Sequence, residues 1–62
     1  MKVNQIINME IVTDNTKIFI RDANFRLVVD GMWYYDSILD YGEFKVESFE
    51  WKDNNEIHIY LK

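Results

Sequence analysis

The chain contains no cysteine, no proline, two glycines and one histidine. Without cysteine there are neither disulfide staples nor thiolate metal sites, which disfavours a small secreted scaffold and makes a reducing cytoplasm the expected compartment. Gly31 and Gly42 are far apart and neither is followed by Gly-Lys-Ser/Thr, so a phosphate-cradling loop is excluded. Long apolar runs are missing as well. None approaches the roughly 20 residues that span a bilayer. The opening MKVNQIINMEIV also places Asn and Gln where a signal peptide needs a continuous apolar stretch, so neither membrane insertion nor export is expected. His58 has no second histidine at metal-ligand spacing, and no DxDxDG loop is present. Ser37 and Ser48 lack the glycine-flanked context of a nucleophile. The expectation is a protein that is not an enzyme, with no catalytic residue, no metal and no cofactor.

What is present is acidic and aromatic. The 62 residues have room for one small β domain spanning residues 1–62, and a domain of this size buries only about 60% of its unfolded surface. The net charge of −4 is unevenly spread: residues 1–29 sum to +1 and residues 30–56 to −6. Such an imbalance disfavours direct binding to a phosphate backbone, which depends on Lys and Arg, and points to a protein partner with a basic surface. Phe, Tyr, Met, Ile, Asn and Lys, all with AT-rich codons, supply 30 residues, against five from Gly, Ala, Arg and Pro, so an AT-rich bacterial, phage or plasmid gene is expected.

Alternation of β-branched or aromatic residues with polar ones runs through nearly every segment, which is the strand signal. The expected fold is all-β: a small, curved antiparallel meander of five or six strands, barrel-like or sandwich-like. A first hairpin joins Ile6 to Thr13 with Thr16 to Arg21 across a type I′ turn at Asp14-Asn15, setting Thr13 opposite Thr16, Ile11 opposite Ile18 and Met9 opposite Ile20. The connection Arg21 to Asn24 leads into Phe25 to Val29. Asp30-Gly31 then reads as a tight turn into a strand from Met32 to Asp36. Residues 36–42 fit both a short helical turn, with Gly42 as its C-cap, and an irregular crossover. The last hairpin pairs Phe44 to Lys52 with Glu56 to Leu61 through a loop Asp53-Asn54-Asn55, with Asn55 left-handed. Its register matches Trp51 with Ile57 and Phe49 with Ile59 toward the core, and Lys52 with Glu56 and Glu50 with His58 outside. The apolar phase shifts between Val46 and Phe49, predicting a bulge near Glu47 and Ser48.

This register predicts a core of Ile11, Ile18, Ile20, Phe25, Leu27, Val29, Met32 and Tyr34, with Phe19, Val28, Trp33 and Tyr35 on a second face. Residues 31–51 hold seven of the ten aromatic side chains and five carboxylates. Aromatics anchor interfaces and carboxylates attract basic surfaces. The candidate partner-binding set is Trp33, Tyr35, Asp36, Asp40, Tyr41, Glu43, Glu47 and Glu50. The leading expectation is a small acidic protein-binding module that occludes a basic, nucleic-acid-handling protein. In size, charge and inferred genome type, though in no motif, it resembles phage or mobile-element inhibitors of the anti-restriction and anti-CRISPR kind. One alternative is a structural or assembly subunit that forms a homodimer or larger homo-oligomer through the second apolar face. The other is single-stranded nucleic-acid binding by Phe19, Trp33 and Tyr35 with Lys17, Arg21 and Arg26.

Overall fold

The computed structural model describes residues 1–52 and 55–62. Its elements in chain order are α1 (Val3–Ile7), β1 (Lys17–Arg21), β2 (Leu27–Met32), α2 (Asp36–Leu39), β3 (Val46–Lys52) and β4 (Glu56–Leu61). The strands form one open sheet in the order β2-β1-β4-β3. The two hairpins β1–β2 and β3–β4 are antiparallel, and the central pair β1–β4 is parallel. The fold is therefore mostly sheet, as expected. Among the described residues it has four strands rather than five or six, is mixed rather than a meander, and does not close.

The largest departure is the N-terminal segment, expected to be a strand from Ile6 to Thr13. Val3, Ile6 and Ile7 stand at helical spacing and are all buried, so one short helix places three apolar side chains on the sheet. A five-residue helix is not stable alone. Its unpaired first amides find distant acceptors instead: Val3 N–H donates to the Phe44 carbonyl (3.0 Å) and Asn4 N–H to that of Gly42 (2.9 Å). The Gln5 side chain accepts from Lys2 N–H at 2.7 Å. Asp14-Asn15 does form a turn, with Thr16 N–H bonded to the Thr13 carbonyl and Thr13 N–H to Thr16 Oγ1. Neither turn residue has a positive φ, so the turn is not type I′. No strand precedes it: Ile11 is exposed and Met9 packs from a loop.

Asp30-Gly31 is not a turn. Both residues lie inside β2, paired with Phe19 and Ile18. Gly31 adopts φ +151°, and a Cβ there would come within 2.5 Å of the Tyr35 ring. Glycine is needed because an aromatic ring lies on the backbone. The chain reverses instead at Asp22 to Arg26, where Asp22 Oδ1 accepts from Asn24 N–H (2.8 Å) and Arg26 N–H (3.0 Å) and Phe25 takes φ 66°. With β2 ending at Met32, the expected strand Met32 to Asp36 is replaced by a turn and α2. A short helical turn within residues 36–42 is thus observed.

The C-terminal hairpin has the expected register at all four matched pairs, with its irregular step between Val46 and Ser48. Asn55 is left-handed at φ 59°, while the rest of the expected loop, Asp53 and Asn54, lies outside the described residues. The buried core joins Val3, Ile6 and Ile7 of α1 and Ile38 of α2 to Ile18, Ile20, Ile57 and Ile59 of the central strands. All the helical cover is on one side of the sheet. Phe49 and Trp51 share that side with Ile59 and Ile57, as expected, but on the edge strand β3 only Val46 is buried in the core, and both aromatic residues stay exposed. The remaining expected core residues divide: Val29 packs against the core, whereas Phe25, Leu27 and Tyr34 are exposed and Met32 is half-buried.

Candidate functional site

Trp33, Tyr34 and Tyr35 occupy the turn that carries the chain from β2 into α2. Tyr35 N–H donates to the Met32 carbonyl at 3.0 Å, tightening the turn and setting the Tyr35 ring over Gly31. Trp33 is half-buried against the core, and its indole N–H donates to Asp14 Oδ1 at 2.8 Å. The three rings then run edge to face, with centroids 5.6 Å apart from Trp33 to Tyr34 and 5.4 Å from Tyr34 to Tyr35. Trp33 is held by Asp14 and Tyr35 by Gly31, while Tyr34 and Tyr35 remain nearly half exposed.

Three carboxylates accompany the ladder, one by a hydrogen bond and two by their place in the chain just after it. Asp14 is bonded to Trp33, Asp36 follows Tyr35 at the start of α2, and Asp40 lies one helical turn later, its N–H on the Asp36 carbonyl at 2.9 Å. Among the described residues the ion pairs made by lysine are Lys2–Glu43 and Lys52–Glu50, and His58 Nε2 lies 3.6 Å from Glu56, so Asp14, Asp36 and Asp40 make no ion pair there. Three anionic groups beside exposed rings leave their charge available to an incoming cation.

The other candidate residues are dispersed. Tyr41 is half-buried on the core with its ring 4.8 Å from that of Phe44, and Glu43 pairs with Lys2 at 3.2 Å. Glu47 sits at the irregular step of β3, and Glu50 on the uncovered face of the sheet. The structure thus brings Trp33, Tyr35, Asp36 and Asp40 together at the β2 edge and leaves Glu47 and Glu50 at the opposite edge.

The uncovered face forms a second surface, which sequence reasoning found only in part. Phe19, Lys17 and Arg21 lie there as expected, but Trp33 and Tyr35 do not, because β2 runs on through Gly31 before the chain turns. Their places are taken by His58 and Tyr60 of β4 and by Phe25. The even-numbered positions of β4, opposite in parity to Ile57 and Ile59, carried that signal. The Phe19 and His58 rings stack at 4.5 Å and 16°, and the Lys17 ammonium lies 5.2 Å from the Phe19 centroid. Arg21 Nε donates to His58 Nδ1 at 3.4 Å, and Phe25 meets Tyr60 edge-on at 5.5 Å. An open hollow of about 290 Å³ lies among Arg21, Phe25, Lys52, His58 and Tyr60. Beside it, the Lys52 ammonium 2.9 Å from Glu50 holds the Glu50 carboxyl below its ordinary value of 4.5, and Glu50 raises Lys52 above 10.5. Because Phe19 already stacks on His58 beneath Lys17, it offers little ring face to a nucleic-acid base.

Among the described residues no group of three or more His, Cys, Asp or Glu is placed to hold a metal ion, and no helix is long and apolar enough to cross a membrane. Comparison with protein-family models, with curated proteins and with solved structures finds no match.

Proposed function

We propose that the protein is a small, non-enzymatic, cytoplasmic binding module whose Trp33-Tyr34-Tyr35 ladder and its carboxylates Asp14, Asp36 and Asp40 engage a basic protein surface. One observation carries this reading: two exposed tyrosines on an anchored tryptophan stand beside carboxylates that have no cationic partner among the described residues. Preordered aromatic rings provide contact area at low entropic cost, and unpaired carboxylates provide steering and selectivity. In its sharper form the partner handles nucleic acid and the carboxylates stand in for phosphates, as in an inhibitor encoded by a phage or mobile element. That form draws support from the −6 charge of residues 30–56.

The test is differential capture from the lysate of the source cell. Wild type, the double reversal Asp36→Lys/Asp40→Lys and the control Lys17→Glu on the uncovered face are immobilised in parallel. A basic protein retained by wild type and the control but not by the double reversal supports the reading. Equal retention by all three folded chains counts against it.

A further inference from the structure

The direction in which β3 presents its free backbone groups follows from the pairing of its neighbours. Lys17 N–H donates to the Asn55 carbonyl at 2.8 Å. In β4, odd-numbered residues therefore turn their backbone groups toward β1, and Glu56, His58 and Tyr60 turn theirs toward β3. The partners of these three, Lys52, Glu50 and Ser48, bond inward, so Phe49 and Trp51 direct their N–H and C=O groups away from the sheet. One end of this edge is closed, because Val46 N–H is taken by the Met1 carbonyl at 2.8 Å. The other end is the end of the strand at Lys52. The open run is Ser48 to Lys52, and its middle residue is Glu50.

The side chains of Phe49 and Trp51 are 41% and 38% exposed on the helix side of the sheet. The same two residues thus combine unpaired backbone with uncovered rings. Proteins normally guard such an edge with charge, a bulge or a covering segment. The opposite edge is guarded: the Met32 carbonyl accepts from Tyr35 N–H, the Tyr35 ring lies over Gly31 and α2 packs against β2.

We propose that β3 is a self-association edge, at which a second copy of this chain adds antiparallel about a two-fold axis through Glu50. That axis sets Phe49 opposite Trp51 of the second copy, and Trp51 opposite Phe49 of the second copy, so outward-facing groups meet outward-facing groups and each pair exchanges both backbone hydrogen bonds. The aromatic rings then meet on the helix side, extending the apolar layer across the axis. On the other side Glu50 meets its own copy, a repulsive pairing for bare carboxylates, but each is held by its own Lys52 at 2.9 Å. Moving the axis to Phe49 drives Lys52 of the second copy against the Met1 segment beside Val46. Moving it to Trp51 leaves Phe49 opposite residues beyond the end of β3. The centre at Glu50 is the register that uses the whole open run. This interface is independent of the ladder at the β2 edge, and a dimer would carry one ladder at each outer edge, a bivalent arrangement.

Sedimentation velocity and residue-resolved amide exchange, over a series from low-micromolar to millimolar protein, test the proposal. The expected result is a concentration-dependent dimer in which the amides of Phe49 and Trp51 slow by at least about tenfold while the Tyr34 amide does not change. Backbone N-methylation at Phe49 or Trp51 abolishes the dimer without unfolding the chain, since those amides make no bond within the sheet. Glu50→Lys, which masses cations on the axis, does the same. A chain that stays monomeric at millimolar concentration, or a dimer whose Phe49 and Trp51 amides exchange at the monomer rate, overturns it.

Discussion

Gly31 is held in place by a ring rather than by a turn. Any side chain at this position meets Tyr35 and must also accept φ +151°. Gly31→Ala is expected to lower stability by about 1–3 kcal/mol, read as a shift in the urea midpoint; adding Tyr35→Ala should recover the steric part and leave the backbone part. The reverse holds at Phe25, an exposed non-glycine residue at φ 66°. Phe25→Gly relieves a left-handed conformation that costs roughly 1–2 kcal/mol, and a higher urea midpoint is expected despite the lost edge contact with Tyr60. The Glu50–Lys52 pair has a defined pH window. Because the folded pKa of Glu50 is depressed, its contribution is present above the ordinary 4.5 and is lost as pH falls through the lower folded value. Because that of Lys52 is raised, its contribution is complete below 10.5 and is lost as pH rises through the higher folded value. An NMR titration should show Glu50 moving up toward 4.5 in Lys52→Ala; no movement would mean that the ammonium is not the cause.

Among the elements, the β3–β4 hairpin was legible in the sequence because two independent patterns agree within one short stretch. Apolar partners Trp51–Ile57 and Phe49–Ile59 alternate with the polar pairs Lys52–Glu56 and Glu50–His58. The first hairpin was not legible, since Asp30-Gly31 has the composition of a turn while the reason for its glycine, the Tyr35 ring, is a tertiary contact. Helix α1 was hidden because Val3, Ile6 and Ile7 are β-branched and fill barely one turn, too short for periodicity to separate helix from strand. Its amides are satisfied by the carbonyls of Gly42 and Phe44, which no local rule reveals. The helix should therefore depend on its packing. Ile6→Ala, at a fully buried site, is expected to destabilise by about 2–5 kcal/mol, whereas Ile11→Ala, at 53% exposure, should stay within about 0.5 kcal/mol of wild type; thermal or urea unfolding compares them directly.

At the scale of the whole molecule, one-sided helical cover divides the chain's chemistry into three surfaces. An aromatic and acidic ladder lies at the β2 edge, a mixed aromatic and cationic face on the uncovered side, and an open edge at β3. The parallel contact of β1 with β4 creates this division and joins segments some 40 residues apart. Alternation within each strand reports which residues share a face, but not which distant strand lies alongside. For that reason the aromatic and acidic composition of residues 31–51 was legible while its separation between two edges was not. The central claim concerns the ladder, and the most direct measurement is calorimetric titration of the captured partner at two salt concentrations with wild type and Asp36→Lys/Asp40→Lys. The double reversal is expected to lower affinity by at least about tenfold, or about 1.4 kcal/mol, and to weaken the salt dependence, with the circular dichroism spectrum unchanged. Equal affinity and equal salt dependence for the two folded proteins would contradict that claim.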